Sequence, residues 1–162
     1  MRVFITGIGG FAGSHLADHL LALGHEVSGL ILPEAGRENV AHLAGRVALH
    51  AGNLLDSARL KELLLRERPE WVFHLAAQSS VAASWENPAE TFEVNAVGGA
   101  RLLEGCLPLK GRVRVARSGC LDLCEKGPNA FLYPEGRWYS GLKPEDVPAL
   151  LAEVSTGSGP QS

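Results

Sequence analysis

Short apolar runs alternate with longer segments of mixed polarity over the first hundred residues. Residues 3–5 form a β-branched and aromatic run that is stopped by glycines, which predicts a buried strand. Further apolar runs predict three more strands, at residues 26–32, 47–49 and 71–75. Apolar positions three or four apart predict intervening helices at residues 11–23, 58–67 and 88–106. Strands that alternate with helices at this spacing indicate a parallel sheet with helices on both faces.

The pattern changes after about residue 107. Valine alternates with arginine over residues 112–117, which predicts a strand with one wet face that extends the parallel sheet as a fifth strand. Two β-like runs at residues 130–133 and 137–140 flank a Pro-Glu-Gly turn signal. A helix is predicted over residues 144–154, and the low-complexity tail at 155–162 is predicted to be disordered.

Composition and charge exclude several classes of protein. The 162 residues are 46% hydrophobic and 20% charged, which is typical of a globular protein and not of a disordered one. A net charge of −3 provides no general attraction to nucleic acid or to an anionic membrane, and no apolar run approaches the roughly 18 residues that cross a bilayer. Three cysteines cannot all pair, so a reducing, cytoplasmic setting is expected, with neither nucleic acid nor membrane as partner.

Charge and residue type are unevenly distributed along the chain. Residues 1–108 carry 8 basic and 12 acidic side chains, whereas residues 109–162 carry 7 and 6. All histidines lie at or before His74, and all cysteines lie at or after Cys106. The asymmetry suggests two pieces of different origin that join near residues 106–112.

The glycine-rich segment Thr6-Gly7-Ile8-Gly9-Gly10-Phe11-Ala12-Gly13 follows the first predicted strand and opens the first predicted helix. A helix N-terminus presents unpaired N–H groups and a partial positive charge to an anion. Glycines let the backbone turn sharply and approach phosphate groups closely. The strand–turn–helix context therefore predicts a site for the pyrophosphate of a dinucleotide, while a tight turn without a ligand remains the alternative.

The residue that would bind the adenosine ribose is less clear. The second strand of such a domain normally ends in an acid that binds the ribose hydroxyls. Here that strand contains no such acid; Glu34 is the nearest carboxylate and Arg37 the nearest base. Arg37 would favour the 2′-phosphate of NADP, but two solvated loop charges explain the pattern equally well, so NAD or NADP remains open.

Four segments together resemble a known superfamily. They are Thr6 to Gly13, Gly52-Asn53-Leu54-Leu55-Asp56, His74-Leu75-Ala76-Ala77-Gln78 and Asn95-Ala96-Val97-Gly98-Gly99. By these motifs, residues 1 to about 106 resemble the N-terminal half of an extended short-chain dehydrogenase/reductase. Within that superfamily they are most similar to NAD(P)-dependent nucleotide-sugar epimerases and dehydratases, including the GDP-mannose 4,6-dehydratase type.

The resemblance implies a set of cofactor-binding residues. The pyrophosphate would contact the glycine loop at Gly7, Gly9, Gly10, Phe11, Ala12 and Gly13. Asn53, where many relatives have Asp, and Leu54 would lie near the adenine. Leu75, Ala76 and Ala77 would border the nicotinamide ribose, although plain packing at a strand end explains them as well. Asn95 would help to order the active site; it lies in an otherwise apolar helix, where a buried amide needs hydrogen-bond partners.

The resemblance also implies a nucleotide-sugar partner and a homodimer formed through helices that include residues 88–106. The expected fold class is α/β: a truncated Rossmann-type parallel sheet with helices on both faces, followed by a small irregular α+β C-terminal segment. The expected domains are a partial NAD(P)-binding domain at residues 1–111, a C-terminal fragment at 112–154 and the tail at 155–162.

Relatives use a tyrosine as general acid/base and a lysine four residues later, with a serine or threonine upstream. Tyr139 and Lys143 match this spacing, with Ser118 upstream. In the family the pair lies on a long helix, and Gly141 and Pro144 oppose such a helix here, which favours a chance match.

Residues 112–154 resemble the second half of a thioredoxin-like two-iron two-sulfur ferredoxin, in which Cys120 and Cys124 would be cluster ligands. Such a cluster needs four thiolates, and Cys106 raises the number in this chain only to three. Cys120 and Cys124 are therefore expected to be free thiols, with no iron–sulfur cluster within one chain.

His15 and His19 are four apart on the first helix, but no third ligand accompanies them, so a solvated helix face is preferred to a metal site.

These observations predict the NAD(P)-binding domain of a nucleotide-sugar epimerase or dehydratase, incomplete for catalysis. An iron–sulfur electron carrier and a minimal oxidoreductase that uses Tyr139 and Lys143 are the alternatives.

Overall fold

A computed structural model of the chain describes residues 1–109, 130–132, 137–141, 143–146 and 148–149. The chain divides into two compact units, Met1–Val115 and Ala116–Ser162. The first contains the whole parallel sheet, and the second contains a hairpin.

The sheet of the first unit consists of four strands: β1 (Arg2–Thr6), β2 (Glu26–Ile31), β3 (Ala48–Ala51) and β4 (Trp71–His74). Their spatial order is β3-β2-β1-β4, and every pairing is parallel. Phe4 of β1 lies opposite Ser28 of β2 and Val72 of β4. The four strands and the Rossmann-type α/β fold predicted from the sequence are confirmed.

Over residues 1–109, five helices connect these strands or follow them: α1 (Phe11–Ala22), α2 (Ser57–Glu67), α3 (Val81–Glu86), α4 (Pro88–Phe92) and α5 (Gly98–Cys106). Short 3₁₀ turns occur at Glu38–Leu43 and Leu107–Leu109. Among the described residues, no helix is long and apolar enough to cross a membrane.

The helix predicted over residues 88–106 differs from expectation in one respect. A π-helical turn at Glu93–Val97 separates α4 from α5. A π turn widens the helix by one residue and changes the direction of the side chains that follow. Asn95 on this turn bonds to the loop after β4, while buried Gly98 packs against Leu54 on the other side.

Apolar side chains cover both faces of the sheet, which explains why β1 is an unbroken apolar run. One face carries the α1 side of the core, formed by Val3, Ile5, Ile8, Ala17, Leu20, Val27, Ile31, Val40 and Leu43. The other face carries the α2 and α5 side, formed by Phe4, Leu30, Leu54, Leu60, Leu63, Leu64, Leu102, Cys106 and Leu109.

Local signals set the ends of the first two helices. The Asp56 carboxylate accepts a hydrogen bond from the Arg59 N–H at 3.0 Å and caps α2. Gly24, with φ of +78°, follows α1 and bonds through its N–H to the Leu21 carbonyl at 3.0 Å. After α2, Arg68 adopts the same left-handed region with φ of 48°.

The second unit contains a two-stranded antiparallel hairpin. Strand β5 (Ala130–Leu132) pairs with β6 (Arg137–Tyr139), so that Phe131 lies opposite Trp138. A 3₁₀ turn at Pro144–Asp146 occupies the start of the helix predicted over 144–154. The predicted fifth strand at 112–117 and the tail at 155–162 lie outside the described residues.

Candidate functional site

A cleft of about 690 Å³ opens at the carboxyl ends of the parallel strands. This end of an open α/β sheet is where ligands usually bind. The lining comes from the loops after all four strands, from the end of β2, from the first turn of α1, from α4 and from the π turn. It comprises Gly7, Gly9, Gly10, Phe11, Ala12, Gly13, Leu30, Ile31, Leu32, Glu34, Ala35, Gly36, Glu38, Asn39, Gly52, Asn53, Leu54, Leu75, Ala76, Ala77, Ser79, Glu90 and Val94.

Two glycines of the loop after β1 have no room for a side chain. Gly7 has φ of +73°, and a Cβ there would lie 2.7 Å from the backbone nitrogen of Ala76. A Cβ on Gly13 would overlap the Gly7 carbonyl oxygen and lie 2.8 Å from Ile8 Cα. These close approaches bring the start of α1 directly over the ends of β1 and β4.

The N-terminus of α1 is open towards the cleft. Gly10 is the N-cap residue and has extended backbone angles, and no side chain caps the helix. The first intrahelical bond runs from the Ser14 N–H to the Gly10 carbonyl at 3.0 Å, so the N–H groups of Phe11, Ala12 and Gly13 precede the hydrogen-bonded ladder. With no acid in this first turn, the helix end presents a partial positive charge to the cleft.

The loop after β2 folds back onto the glycine loop. Asn39 Nδ2 donates to the Gly9 carbonyl at 3.0 Å, and Val40 and Leu43 of the same 3₁₀ turn are buried. Glu34, the carboxylate nearest in sequence to the end of β2, lines the cleft, but Arg37 is not among the lining residues. Glu38 does line it, although the sequence analysis missed it. The apolar residues Val40 and Leu43, three apart, are the signal that the turn packs inward.

The loop after β3 holds its shape through Asn53. The Asn53 Oδ1 accepts from the Leu55 N–H at 2.9 Å, and its carbonyl accepts from the Asp56 N–H at 3.1 Å. Leu54 is buried in the core beneath the cleft. Asn53 and Leu54 both line the cleft. An Asp at position 53, as in many relatives, would accept the same hydrogen bond from the Leu55 N–H, so Asn53 keeps the local geometry of the loop.

The loop after β4 is held by Asn95 and Gln78. Asn95 Oδ1 accepts from the Gln78 N–H at 2.7 Å, and Asn95 Nδ2 donates to the Gln78 carbonyl at 2.9 Å. The Gln78 side chain bonds in turn to both backbone groups of Ser80. Leu75, Ala76 and Ala77 thereby form one wall of the cleft. The amide of Asn95 has partners as expected, but the residue is exposed, so the assumption of a buried amide was wrong.

Thr6 and His74 are joined at the ends of β1 and β4. Thr6 Oγ1 lies 2.7 Å from His74 Nδ1, and it accepts from the Ala76 N–H at 3.4 Å. Burial lowers the pKa of the His74 imidazole below its ordinary value. The neutral ring can accept a hydrogen bond from the Thr6 hydroxyl at Nδ1, and this pair joins the ends of β1 and β4 beneath the cleft.

The charged side chains in the described lining of the cleft are all acidic. Its lining in the described part of the chain contains the carboxylates of Glu34, Glu38 and Glu90 and no lysine, arginine or histidine. An anionic ligand would therefore depend on the backbone N–H groups at the α1 N-terminus.

The remaining candidates are each described by their own surroundings. Tyr139 ends strand β6 and Lys143 precedes a 3₁₀ turn, so the pair does not share a helix. Ser118, Cys120 and Cys124 lie outside the described residues. His15 packs edge-on against Phe11, with ring centroids 4.6 Å apart. Over the described ranges, no group of three or more His, Cys, Asp or Glu residues could hold a metal ion.

Comparison with known proteins gives consistent matches over the N-terminal part of the chain. The family model of GDP-mannose 4,6-dehydratases matches residues 4–119. A GDP-mannose 4,6-dehydratase of Sordaria araneosa is 45% identical over 115 residues, which cover 68% of this chain and 21% of that protein.

Two solved structures share the fold. The UDP-glucose 4-epimerase of Thermus thermophilus in complex with NAD is 43% identical with a TM-score of 0.62, over 67% of this chain and 34% of that one. The UDP-glucose 4-epimerase of Thermotoga maritima with UDP-glucose is 33% identical with a TM-score of 0.62, over 68% of this chain and 35% of that one. The chain thus spans between 21% and 35% of the length of these three proteins. None of these matches supports the ferredoxin resemblance of residues 112–154.

Proposed function

We propose that this chain, which belongs to the GDP-mannose 4,6-dehydratase family, binds NAD or NADP in the cleft of its first unit. The observation that carries this proposal is the loop at residues 7–13. At Gly7 and Gly13 other backbone atoms lie so close that a side chain would not fit. The uncapped N-terminus of α1 faces the cleft. A diphosphate is the part of a dinucleotide that such a loop accepts.

The rest of the cleft suits the two ends of a dinucleotide. The adenosine would lie on the β2 and β3 side, against Asn53 and Leu54. The nicotinamide ribose would lie along Leu75, Ala76 and Ala77. Asn95 acts as a positioning residue because it holds the loop that carries this second wall. The cleft volume of about 690 Å³ is within the range of cofactor sites.

A bound NAD(P) would supply hydride acceptance and donation at its nicotinamide ring. The substrate class that we propose is a nucleotide sugar, supported by the similarity to a GDP-mannose dehydratase and to UDP-glucose epimerases. The described lining contains no tyrosine. We therefore propose dinucleotide binding as the function of this unit and leave Ser118, Tyr139 and Lys143 without an assigned role.

A charge placed at the N-cap tests the site. Calorimetric titration of the full chain with NAD and with NADP should show saturable binding, and Gly10→Asp should abolish it. A Cβ on Gly10 meets only the Gly7 carbonyl oxygen, at 3.3 Å, and an N-cap Asp stabilises a helix. Lost binding with an unchanged or raised melting temperature would therefore show that the anion site was blocked while the fold survived. If neither dinucleotide binds the unaltered chain at millimolar concentration, the proposal is wrong.

Self-association through the helices of residues 88–106 stays a prediction. Sedimentation of the full chain over a range of concentrations tests it.

A further inference from the structure

Thr6 contacts the loop after β4 through both its backbone and its side chain. Its carbonyl accepts from the Leu75 N–H at 3.1 Å, and its hydroxyl oxygen accepts from the Ala76 N–H at 3.4 Å. The same hydroxyl lies 2.7 Å from Nδ1 of His74. Because Thr6 directly precedes Gly7, these contacts fix the end of β1 from which the glycine loop departs.

Gly7 packs directly on the segment that Thr6 holds. A Cβ on Gly7 would lie 2.7 Å from the Ala76 nitrogen and 2.8 Å from the Leu75 carbonyl carbon, so the two backbones approach closely. The Gly7 carbonyl in turn accepts from the N–H of Gly10, the N-cap of α1, at 3.0 Å. A shift of the peptide between Leu75 and Ala76 would therefore move the glycine loop together with one wall of the cleft.

The Thr6 hydroxyl depends on a neutral His74 ring. Thr6 is fully buried, and a buried hydroxyl needs an acceptor for its proton. In the described part of the chain, this hydroxyl bonds to His74 Nδ1 and accepts from the Ala76 N–H. Nδ1 is therefore the acceptor, and the proton of the neutral ring lies on Nε2, which is 3.5 Å from the place of a Cβ on Gly99.

Protonation of His74 removes this acceptor. An imidazolium carries a proton on both nitrogens, so Nδ1 would present a second donor to an oxygen that already accepts from the Ala76 N–H. The buried Thr6 hydroxyl proton would then have no acceptor on the ring.

The His74 imidazole can take up this proton in the folded chain. The residue is exposed to solvent, and partial burial of its ring lowers the pKa of the imidazole. The ring meets Thr6 of β1 and Gly99 of α5, and no charged side chain of the described residues acts on its pKa. His74 is thus neutral at neutral pH and becomes charged on acidification.

We propose that the Thr6–His74 pair couples dinucleotide binding to the protonation state of His74, and that the chain with the neutral ring is the form that binds. The inference rests on the proposed dinucleotide binding and adds the regulation of that site by pH. His74 is a positioning residue, since it does not belong to the described lining of the cleft and acts through Thr6.

The coupling follows from which state of the chain can relax. The free chain accommodates the charged ring by moving the loop after β4, whereas a dinucleotide that contacts Gly7 and Ala76 opposes that movement. Binding and protonation therefore oppose each other, and the effect is reciprocal.

Charge alone predicts the opposite pH dependence. A cation near the cleft would attract the diphosphate, so protonation of a nearby histidine would by itself tighten binding at low pH. The proposed coupling weakens binding at low pH, so the sign of the pH dependence distinguishes the two effects.

Calorimetric titration of the full chain with NAD, and in parallel with NADP, from about pH 8 down through the titration of His74 tests the coupling. NMR of the His74 ring protons locates that titration with and without the dinucleotide, and circular dichroism at each pH monitors the fold. We expect the dissociation constant to rise about fivefold as His74 becomes protonated, the effect of one lost hydrogen bond. By reciprocity, the bound dinucleotide should lower the pKa of His74 further.

Variants of the pair separate this coupling from a purely structural effect. His74→Asn keeps an acceptor for the Thr6 hydroxyl and does not titrate, so it should bind normally at about pH 8 and lose the pH dependence. Thr6→Val removes the hydroxyl and should weaken binding at that pH about fivefold. Thr6→Ser keeps the hydroxyl and should behave like the unaltered chain.

His50→Asn is the matched control. The pKa of His50 is also lowered, by burial first, but its ring bonds to Arg66 of α2 and not to Thr6. This variant should leave the pH dependence of dinucleotide binding unchanged.

The outcomes separate the inference from the proposed function. Binding that weakens across the His74 titration, and does not weaken in His74→Asn, supports the inference. Binding that stays constant or tightens across that titration, weakens equally in His74→Asn, or is unaffected by Thr6→Val overturns the inference and leaves dinucleotide binding intact. If neither dinucleotide binds the unaltered chain at millimolar concentration, the proposed function is wrong, and the inference with it.

Discussion

The Asn95 side chain bonds to both backbone groups of Gln78, accepting from its N–H at 2.7 Å and donating to its carbonyl at 2.9 Å. The two residues are 17 positions apart, and the contact joins the π turn between α4 and α5 to the loop after β4. This loop forms the wall of the cleft that carries Leu75, Ala76 and Ala77, and the two bonds of the Asn95 amide help to hold it in place.

Loss of the Asn95 amide should loosen that wall. In Asn95→Ala we expect the Gln78 amide to exchange its hydrogen about fivefold faster, because a hydrogen bond of this kind contributes ~1 kcal/mol. Hydrogen-exchange NMR on the full chain measures the change. Asn87→Ala is the matched control: it removes the cap of α4, made to the Glu90 N–H at 3.3 Å, without touching Gln78. Equal acceleration in both variants would count against the specific role of Asn95.

Stability should fall on acidification because of His74. Partial burial of the ring lowers the folded-state pKa of His74 from its usual 6.5. As the pH falls from about that value, the unfolded chain therefore binds a proton before the folded chain does. The free energy of unfolding should therefore decrease below pH 6.5 until the folded-state pKa is reached. Urea denaturation at a series of pH values measures this slope.

His74→Asn retains an acceptor for the Thr6 hydroxyl and removes the titration, so it should flatten the pH dependence. His50 contributes in the same direction, since burial, with Arg66 and Arg59, lowers its pKa against the opposing effect of Glu67. His50→Asn separates the two contributions. An unchanged pH slope in the His74 variant would contradict this account.

Replacement of Arg68 by glycine should stabilise the chain. Arg68 has φ of 48°, a conformation in which the Cβ of an L-residue is strained. Its backbone bonds, from the Arg2 Nε to its carbonyl and from its own N–H to the Leu64 carbonyl, do not need the side chain. We expect Arg68→Gly to raise the free energy of unfolding by about 0.5–1 kcal/mol. Arg66→Gly, inside α2, should instead lower it by about 1 kcal/mol; the same sign for both variants in denaturant titration would refute the prediction.

Truncation of a core leucine on α2 should cost far more than truncation of its exposed neighbour. Leu63 is fully buried, whereas Leu65 is 45% exposed. We expect Leu63→Ala to lower the free energy of unfolding by about 2–5 kcal/mol and Leu65→Ala by less than about 1 kcal/mol. Thermal and urea unfolding followed by circular dichroism measure both; similar losses would mean that α2 packs through a different face.

The elements that sequence reasoning located are those with local causes. The apolar runs of the four strands and the helical spacing of apolar residues over 11–23 and 58–67 each depend on residues a few positions apart. The glycine loop is equally local, because its strand, turn and helix are contiguous, so the phosphate end of the candidate site was predictable. The spacing of Tyr139 and Lys143 does not by itself establish that they share a helix. Residues four apart lie on one face of a helix, but here Tyr139 ends a strand and Lys143 precedes a 3₁₀ turn.

The amino-acid sequence by itself determined the four strands, the helices α1 and α2 and the glycine-rich turn between β1 and α1, because hydrophobic period and glycine stereochemistry act over short distances. Only the tertiary structure decided which charges face the cleft and how its far wall is held. Glu38 reaches the rim because Asn39 bonds to Gly9, 30 positions away, and Asn95 meets Gln78 because a π turn aims it across two elements. Such contacts depend on how the whole chain packs on the sheet, and no pattern of neighbouring residues encodes that arrangement alone.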